Sequence, residues 1–314
     1  MRYKENEFPL HFAAESGNLD MLRKLVDCGQ NPDSKDQHLR TPLMIAAWKN
    51  KRDIAEFLIK RGADINAKDR RNGAWDGHYT PLHFACEDGL VEMAELLLSN
   101  GANPDPISQF WSVPLSGAIM VRNERLAMCL LNFKANPNGP AKCDRLPIVS
   151  AASTNNAMMI QELLKRGADP NRFGGDGRLA LCETTDLQCA QILIDGGALV
   201  NGRDRNGVTV FHSLISVLSD DMVLFLIKCG ANVNEVRLEN GTAPLHCLTY
   251  NPNCSVARIL IEAGADVNLI SDHGTPLDMC LYLKETSVPN PRLDEFINLL
   301  NEHGAKTSQK LSGI

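Results

Sequence analysis

A period of 33 residues, carried by two markers in register, constrains this chain more than any other feature. Proline-led starts stand at Pro9, Pro42, Pro81, Pro114, Pro147, Pro244 and Pro276, and three of the intervals between neighbouring starts are 33 residues. Ala180 and Val210 fill the same slot in two degenerate copies. A second marker runs in register with the first: Gly62-Ala63-Asp64-Ile65-Asn66, Gly101-Ala102-Asn103, Gly167-Ala168-Asp169-Pro170-Asn171, Gly230-Ala231-Asn232-Val233-Asn234 and Gly264-Ala265-Asp266-Val267-Asn268. Two independent markers with one period divide the chain into about nine repeats, starting near residues 8, 41, 80, 113, 146, 179, 209, 243 and 275.

Each copy reads as two helices and a polar loop. In Thr80-Pro81-Leu82-His83 the threonine can cap free amides, and proline at the first helical position sacrifices an N–H that has no partner there anyway. Phe84-Ala85-Cys86 follows with small residues that allow close helix approach, and Met93-Ala94-Glu95-Leu96-Leu97-Leu98 has the apolar spacing of a second helix. Gly101 stands where a left-handed C-terminal residue is needed. About a dozen polar residues then lead to the next start as a projecting finger. One such hairpin cannot bury its own apolar side, so neighbours must stack.

These residues resemble the ankyrin repeat, whose motif includes T-P-L-H-x-A, over roughly residues 8–305. The resemblance implies an all-α solenoid of about nine helix-turn-helix repeats with projecting finger loops. The whole chain is then one array, with residues 306–314 a frayed tail. Composition agrees, because 44% hydrophobic residues with only 5% aromatics gives an aliphatic core suited to closely stacked helices. The second helix of the last copy, near 292–302, has apolar residues on one side and polar residues on the other, as a terminal cap requires.

Departures from the repeat point to candidate function. The finger before Thr80 is six residues longer than its neighbours and carries Trp75, His78 and Tyr79 among the turn formers Asn72-Gly73 and Asp76-Gly77. The next finger carries Phe110 and Trp111. Trp48 follows Ala46-Ala47, in the slot that in ankyrin repeats faces the concave surface, and Met120 with Val121 holds the equivalent slot two repeats on. Clustered aromatic side chains are the usual anchors of a protein interface, so Trp48, Trp75, His78, Tyr79, Phe110, Trp111 and Met120 are the candidate partner-binding residues. The alternative is that these rings fold back and seal the stack. Repeats four to six lose the Thr and His, Lys134 stands where glycine is usual, and the sixth copy is three residues short, which trims one helix or its turn. The last copy is expanded by eight residues between its helices, around residues 285–291.

No motif of a zinc hydrolase, phosphate loop, nucleophile elbow or dinucleotide fold occurs in the required context, so neither catalysis nor a cofactor is expected. Gly174-Gly175-Asp176-Gly177 reads as a turn. His11, His83, His212 and His246 share one repeat position and read as structural, bonding neighbouring turns. His246 with Cys247 and Cys254 lacks a fourth metal ligand, and Cys143, in a finger, is the candidate reactive thiol. The ten cysteines lack paired CxxC spacing, no apolar run is long enough to span a bilayer, and the polar start carries no signal peptide; a reducing, cytoplasmic setting is expected. A net charge of −6 argues against nucleic acid, with Arg70-Arg71 and Arg203-Asp204-Arg205 the only basic finger clusters.

The partner is therefore expected to be another protein, held by a monomeric chain through its concave face and fingers. A chain of ankyrin repeats resembles adaptors, inhibitors and immunity-type proteins that act by occupying a partner, and effectors that bacteria or viruses aim at host proteins. If the projecting rings are anchors, Trp75→Ala with Trp111→Ala leaves thermal melting intact and weakens partner capture about tenfold or more. Unchanged capture places the interface elsewhere.

Overall fold

The computed structural model describes residues 3–70, 78–107, 113–140, 143, 145–286 and 288–312. Trp75, Phe110 and Trp111 lie outside the described residues. Among the described residues the chain is helical and forms no β-strand. The helices fall in pairs: α1 (Pro9–Ser16) with α2 (Leu19–Asp27), α3 (Pro42–Trp48) with α4 (Arg52–Lys60), α5 (Pro81–Glu87) with α6 (Val91–Ser99), and α7 (Pro114–Met120) with α8 (Glu124–Asn132). Then come α9 (Pro147–Ser153), α10 (Ala157–Lys165), a single 3₁₀ turn (Ala180–Cys182) with α11 (Leu187–Asp195), and α12 (Val210–Leu214) with α13 (Asp220–Lys228). The series closes with α14 (Pro244–Cys247) and α15 (Cys254–Glu262), α16 (Pro276–Thr286) and α17 (Pro291–Glu302), and a short α18 (Ser308–Ser312).

The helices group into two compact units, residues 1–154 with 166–168, and residues 155–165 with 169–314. Within the first, successive first helices α1, α3, α5, α7 and α9 pack in sequence, and α2 packs on α4 and α6 on α8. Within the second, α11, α13, α15 and α17 form one row while the 3₁₀ turn, α12, α14 and α16 form the other. Each second helix puts its leucine or isoleucine into the row: Leu22, Leu58, Leu97, Leu130, Leu163, Leu193, Leu226 and Leu260 are fully buried. Ala46, Ala47, Ala85, Ala151 and Ala152 are equally buried and let first helices approach closely.

Two polar devices join successive repeats. The first is the histidine. The backbone N–H of Thr80 donates to His83 Nδ1 at 3.0 Å and that of Ala243 to His246 Nδ1 at 3.1 Å. Because Nδ1 accepts, Nε2 carries the proton and donates to the next finger, from His212 to the Thr242 carbonyl at 3.0 Å and from His246 to Gly274 at 3.2 Å. His11 reaches the Arg40 carbonyl at 2.8 Å in the same way. The second device is an asparagine fork. Asn234 Nδ2 donates to Gly264 O at 2.8 Å while its Oδ1 accepts from Asp266 N at 2.7 Å. Asn66, Asn171, Asn201 and Asn268 repeat both bonds to their own next repeats.

The irregular copies resolve in particular ways. The deletion in the sixth copy falls entirely on its first helix, reduced to the 3₁₀ turn, while α11 keeps nine residues. The expansion in the last copy goes largely into helix, since α16 has 11 residues and α17 has 12. The tail expected to fray is instead helical at Ser308–Ser312, and it is tied down by Lys306 N on Asn268 Oδ1 at 2.7 Å and Ser308 N on Asp278 Oδ2 at 2.8 Å. Lys134 takes the left-handed backbone of the glycine it replaces, with φ of 65°.

Two predictions follow from this geometry. A side chain in the left-handed region costs about 1 kcal/mol or more, so Lys134→Gly raises the melting temperature by about 1–2 °C in differential scanning calorimetry. A lowered melting temperature instead assigns Lys134 a stabilising contact. Burial, the larger effect, holds the His212 and His83 pKa at about 4, against an ordinary 6.5, and lowers those of His11 and His246. A depressed histidine pKa means the unfolded chain binds protons first, so stability is complete above pH 6.5 and falls as pH drops toward 4. At pH 5 the chain melts about 5 °C or more below its value at pH 7, and His212→Gln shrinks that difference. A flat profile contradicts the neutral-histidine bridge.

Candidate protein-binding surfaces

The residues singled out by sequence separate into three groups in the structure. Trp48 ends α3 half-buried, its ring 6.2 Å from that of Phe84 and capped by Lys49 Nζ at 4.0 Å from its centroid. Met120 ends α7 at the surface, and Val121 beside it is 66% exposed. His78 is also exposed, in a left-handed conformation with φ of 25°.

Tyr79 corrects an expectation. Its side chain is buried, with ring centroids 5.0 Å from His83 and 5.6 Å from Phe84, and its backbone N–H donates to Asp69 Oδ1 at 2.6 Å. Phe84 is therefore the point where Trp48 and Tyr79 meet, and Tyr79 seals the stack there instead of projecting from a finger. Cys143 is corrected too. It is buried with its Sγ donating to the Arg145 carbonyl at 2.9 Å, a satisfied thiol rather than an exposed nucleophile.

Two large exposed side chains were missed by the reading of the sequence. Tyr250 is 70% exposed and Tyr282 is 66% exposed. Both stand six residues after their repeat's proline, the same slot as Trp48 and Met120, so counting from Pro244 and Pro276 finds them. Leu281 and Val217 are also exposed in the C-terminal unit. This slot lies past the fully buried part of the first helix, and its side chain ranges from half-buried, as at Trp48, to exposed. In the other copies it holds Glu15, Glu87, Ser153 and Ser216.

The remaining chemistry is occupied with structure. Arg203 bonds the carbonyls of Gly207 and Val236, each at 3.0 Å, and pairs with Glu235. Arg205 reaches the carbonyls of Gly175 at 2.7 Å and Gly174 at 3.0 Å, with its guanidinium over the Phe173 ring. The glycine-rich turn thus presents carbonyls to a cation, the reverse of a phosphate cradle. Burial pushes the thiols of Cys182, Cys189 and Cys280 up to about 12, which keeps them protonated at neutral pH. Among the described residues no group of three or more His, Cys, Asp or Glu side chains could hold a metal ion.

The chain belongs to the ankyrin-repeat family. The family model described as "Ankyrin repeats (3 copies)" matches residues 1–69 and 178–271, and that described as "Ankyrin repeat" matches residues 77–108. The chain is 26% identical over 269 residues to a protein of Danio rerio named putative palmitoyltransferase ZDHHC13, covering 85% of this chain and 31% of that protein. It is 38% identical over 103 residues to inversin of Danio rerio, covering 33% of this chain and 10% of inversin. It is 23% identical over 293 residues to E3 ubiquitin-protein ligase KEG of Arabidopsis thaliana, covering 86% of this chain and 17% of the ligase. The chain thus spans less than a third of the length of these relatives. The crystal structure of the human ASB11 ankyrin repeat domain superposes with a TM-score of 0.55 at 21% identity, over 69% of this chain and 97% of that one, and it shares the fold. Ankyrin repeats are in general protein–protein interaction modules. No described helix is long and apolar enough to cross a membrane.

Proposed function

We propose that this chain is a protein-binding module, without catalysis of its own, that acts as an adaptor or inhibitor by occupying a partner protein in the cytoplasm. One observation carries the reading. The slot six residues past the proline holds large exposed side chains in three copies, Met120 in the N-terminal unit and Tyr250 and Tyr282 in the C-terminal unit. Exposed tyrosine supplies much contact area for little ordering cost, because only two side-chain torsions must be fixed. His78 and the half-buried Trp48 edge belong to the same reading, as do Trp75, Phe110 and Trp111. The relatives support recognition over chemistry: proteins bearing different names share this repeat segment, while most of each lies outside it. A host-directed effector or immunity-type inhibitor of a bacterium or virus would use the same surfaces, and the identity of the partner separates those roles.

A metal or nucleic-acid site is the weaker reading. Arg203 and Arg205 spend their donors on finger carbonyls, so few remain for phosphates. The experiment is capture from native lysate by the immobilised chain, with bound protein identified by mass spectrometry. Tyr250→Ala with Tyr282→Ala weakens that capture about tenfold or more at an unchanged melting temperature, because neither ring supports the core. Capture that persists undiminished removes the C-terminal tyrosines from the interface, and capture that yields only nucleic acid defeats the reading.

A further inference from the structure

The N-terminal unit carries an apolar pocket between α5 and α7, lined by Tyr79, His83, Cys86, Gly117, Ala118 and Val121. It exists because Gly117 occupies a slot that Ile45 fills in α3 and Phe84 fills in α5, three residues after the proline. A β-carbon built on Gly117 meets nothing within 4 Å, so the helix presents a notch. The walls are the buried tyrosine ring and small side chains, with Val121 66% exposed beside it. Such a cavity suits one aliphatic side chain.

The mouth of the pocket is anionic. Glu87 lines it and Asp88 follows, both exposed and neither in an ion pair with a described residue. They sit at the C-terminal end of α5, where the carbonyl ends of the helix add negative potential. His83, which also lines the pocket, is buried.

We propose that the Gly117 notch takes one aliphatic side chain from an extended segment of a partner protein, with an adjoining Lys or Arg of that segment held by Glu87 and Asp88. This rests on the protein-binding reading and names the kind of sequence that the N-terminal unit recognises. A neutral or acidic segment gains nothing from the two carboxylates and leaves them beside an apolar contact, which disfavours it.

The test uses random peptides displayed on phage, selected on the full chain, with the enriched sequences synthesised and their Kd measured by fluorescence polarisation. Enriched peptides should pair an aliphatic residue with Lys or Arg within a few positions. A Cβ at Gly117 meets nothing within 4 Å and leucine improves helix propensity, so Gly117→Leu should melt no lower than the wild type while binding these peptides about tenfold more weakly or worse. Glu87→Gln with Asp88→Asn should weaken binding about threefold and flatten its dependence on salt. Enriched peptides that lack a basic residue, or that bind Gly117→Leu as tightly as the wild type, overturn the proposal. If those same peptides are lost on Tyr250→Ala with Tyr282→Ala, the broader protein-binding reading stands while the notch falls. A selection without binders counts against the notch, and only a lysate from which the full chain also retains no protein counts against both.

Discussion

A helix hairpin of this size has one apolar side and nothing of its own to cover it, so the side chains of the next hairpin must do so. Leu97 and its equivalents are fully buried because a neighbour's row lies over them. The interaction is local and repeated, and its free energy accumulates interface by interface. What hydrophobic contact leaves open is angle and spacing, since apolar surfaces slide. The histidine bridges and asparagine forks close that freedom. Each fork makes both its bonds to a single repeat, at glycine and at the residue two positions beyond it, so it fixes the register of adjacent fingers. Individually such bonds contribute about 1 kcal/mol net, and their regular spacing gives direction to a non-directional attraction.

The degenerate copies show which part of the motif carries that work. Ser116 replaces histidine, yet its hydroxyl donates to the Arg145 carbonyl at 2.9 Å, 29 residues on, the same span that separates His11 from Arg40. Met44 presents its sulfur to the Thr41 N–H where a histidine nitrogen would stand. Lys134 keeps the backbone conformation while abandoning the residue that prefers it. In the last copy Asp278 Oδ2 accepts from both Thr275 N and Ser308 N, and so carries the bridging position to α18. At these positions the hydrogen bond or the torsion persists while the side-chain identity changes, whereas Val149 fills the histidine slot of the fifth copy without a polar group.

The same distinction explains what could be read from the sequence. Proline at a helix start and glycine at a helix end answer backbone demands that hold whatever surrounds them, so the repeat boundaries around Pro42, Pro81, Pro114, Pro244 and Gly101 were legible from residues alone. Where a side chain points depends on what packs against it. Tyr79 and Tyr250 are the same residue type, each beside a first helix, yet one is buried on Phe84 and the other exposed. Tyrosine content gave no warning of that, whereas position within the repeat would have, because Tyr250 falls past the buried stretch and Tyr79 falls before it. Net length is equally blind. A deletion of three residues went to one helix of the sixth copy, and an expansion of eight went mostly into lengthening both helices of the ninth.

Recognition in such a fold is a matter of which positions are released from packing. The first-helix slot six residues past the proline is exposed in four copies, at Glu87, Met120, Tyr250 and Tyr282, and half-buried in four others. A released position on a helix end is also a rigid one, because the backbone beneath it is fixed on both sides by neighbours. Side chains placed there lose little freedom on contact, so more of the contact energy survives as affinity than on a mobile loop. Gly117 takes the argument a step further: at a position normally spent on packing, omission of the side chain opens space with a Cβ-deep floor and no neighbour within 4 Å to close it. The repeats can therefore acquire specificity by subtraction as well as by addition, at positions three residues apart on the same helix.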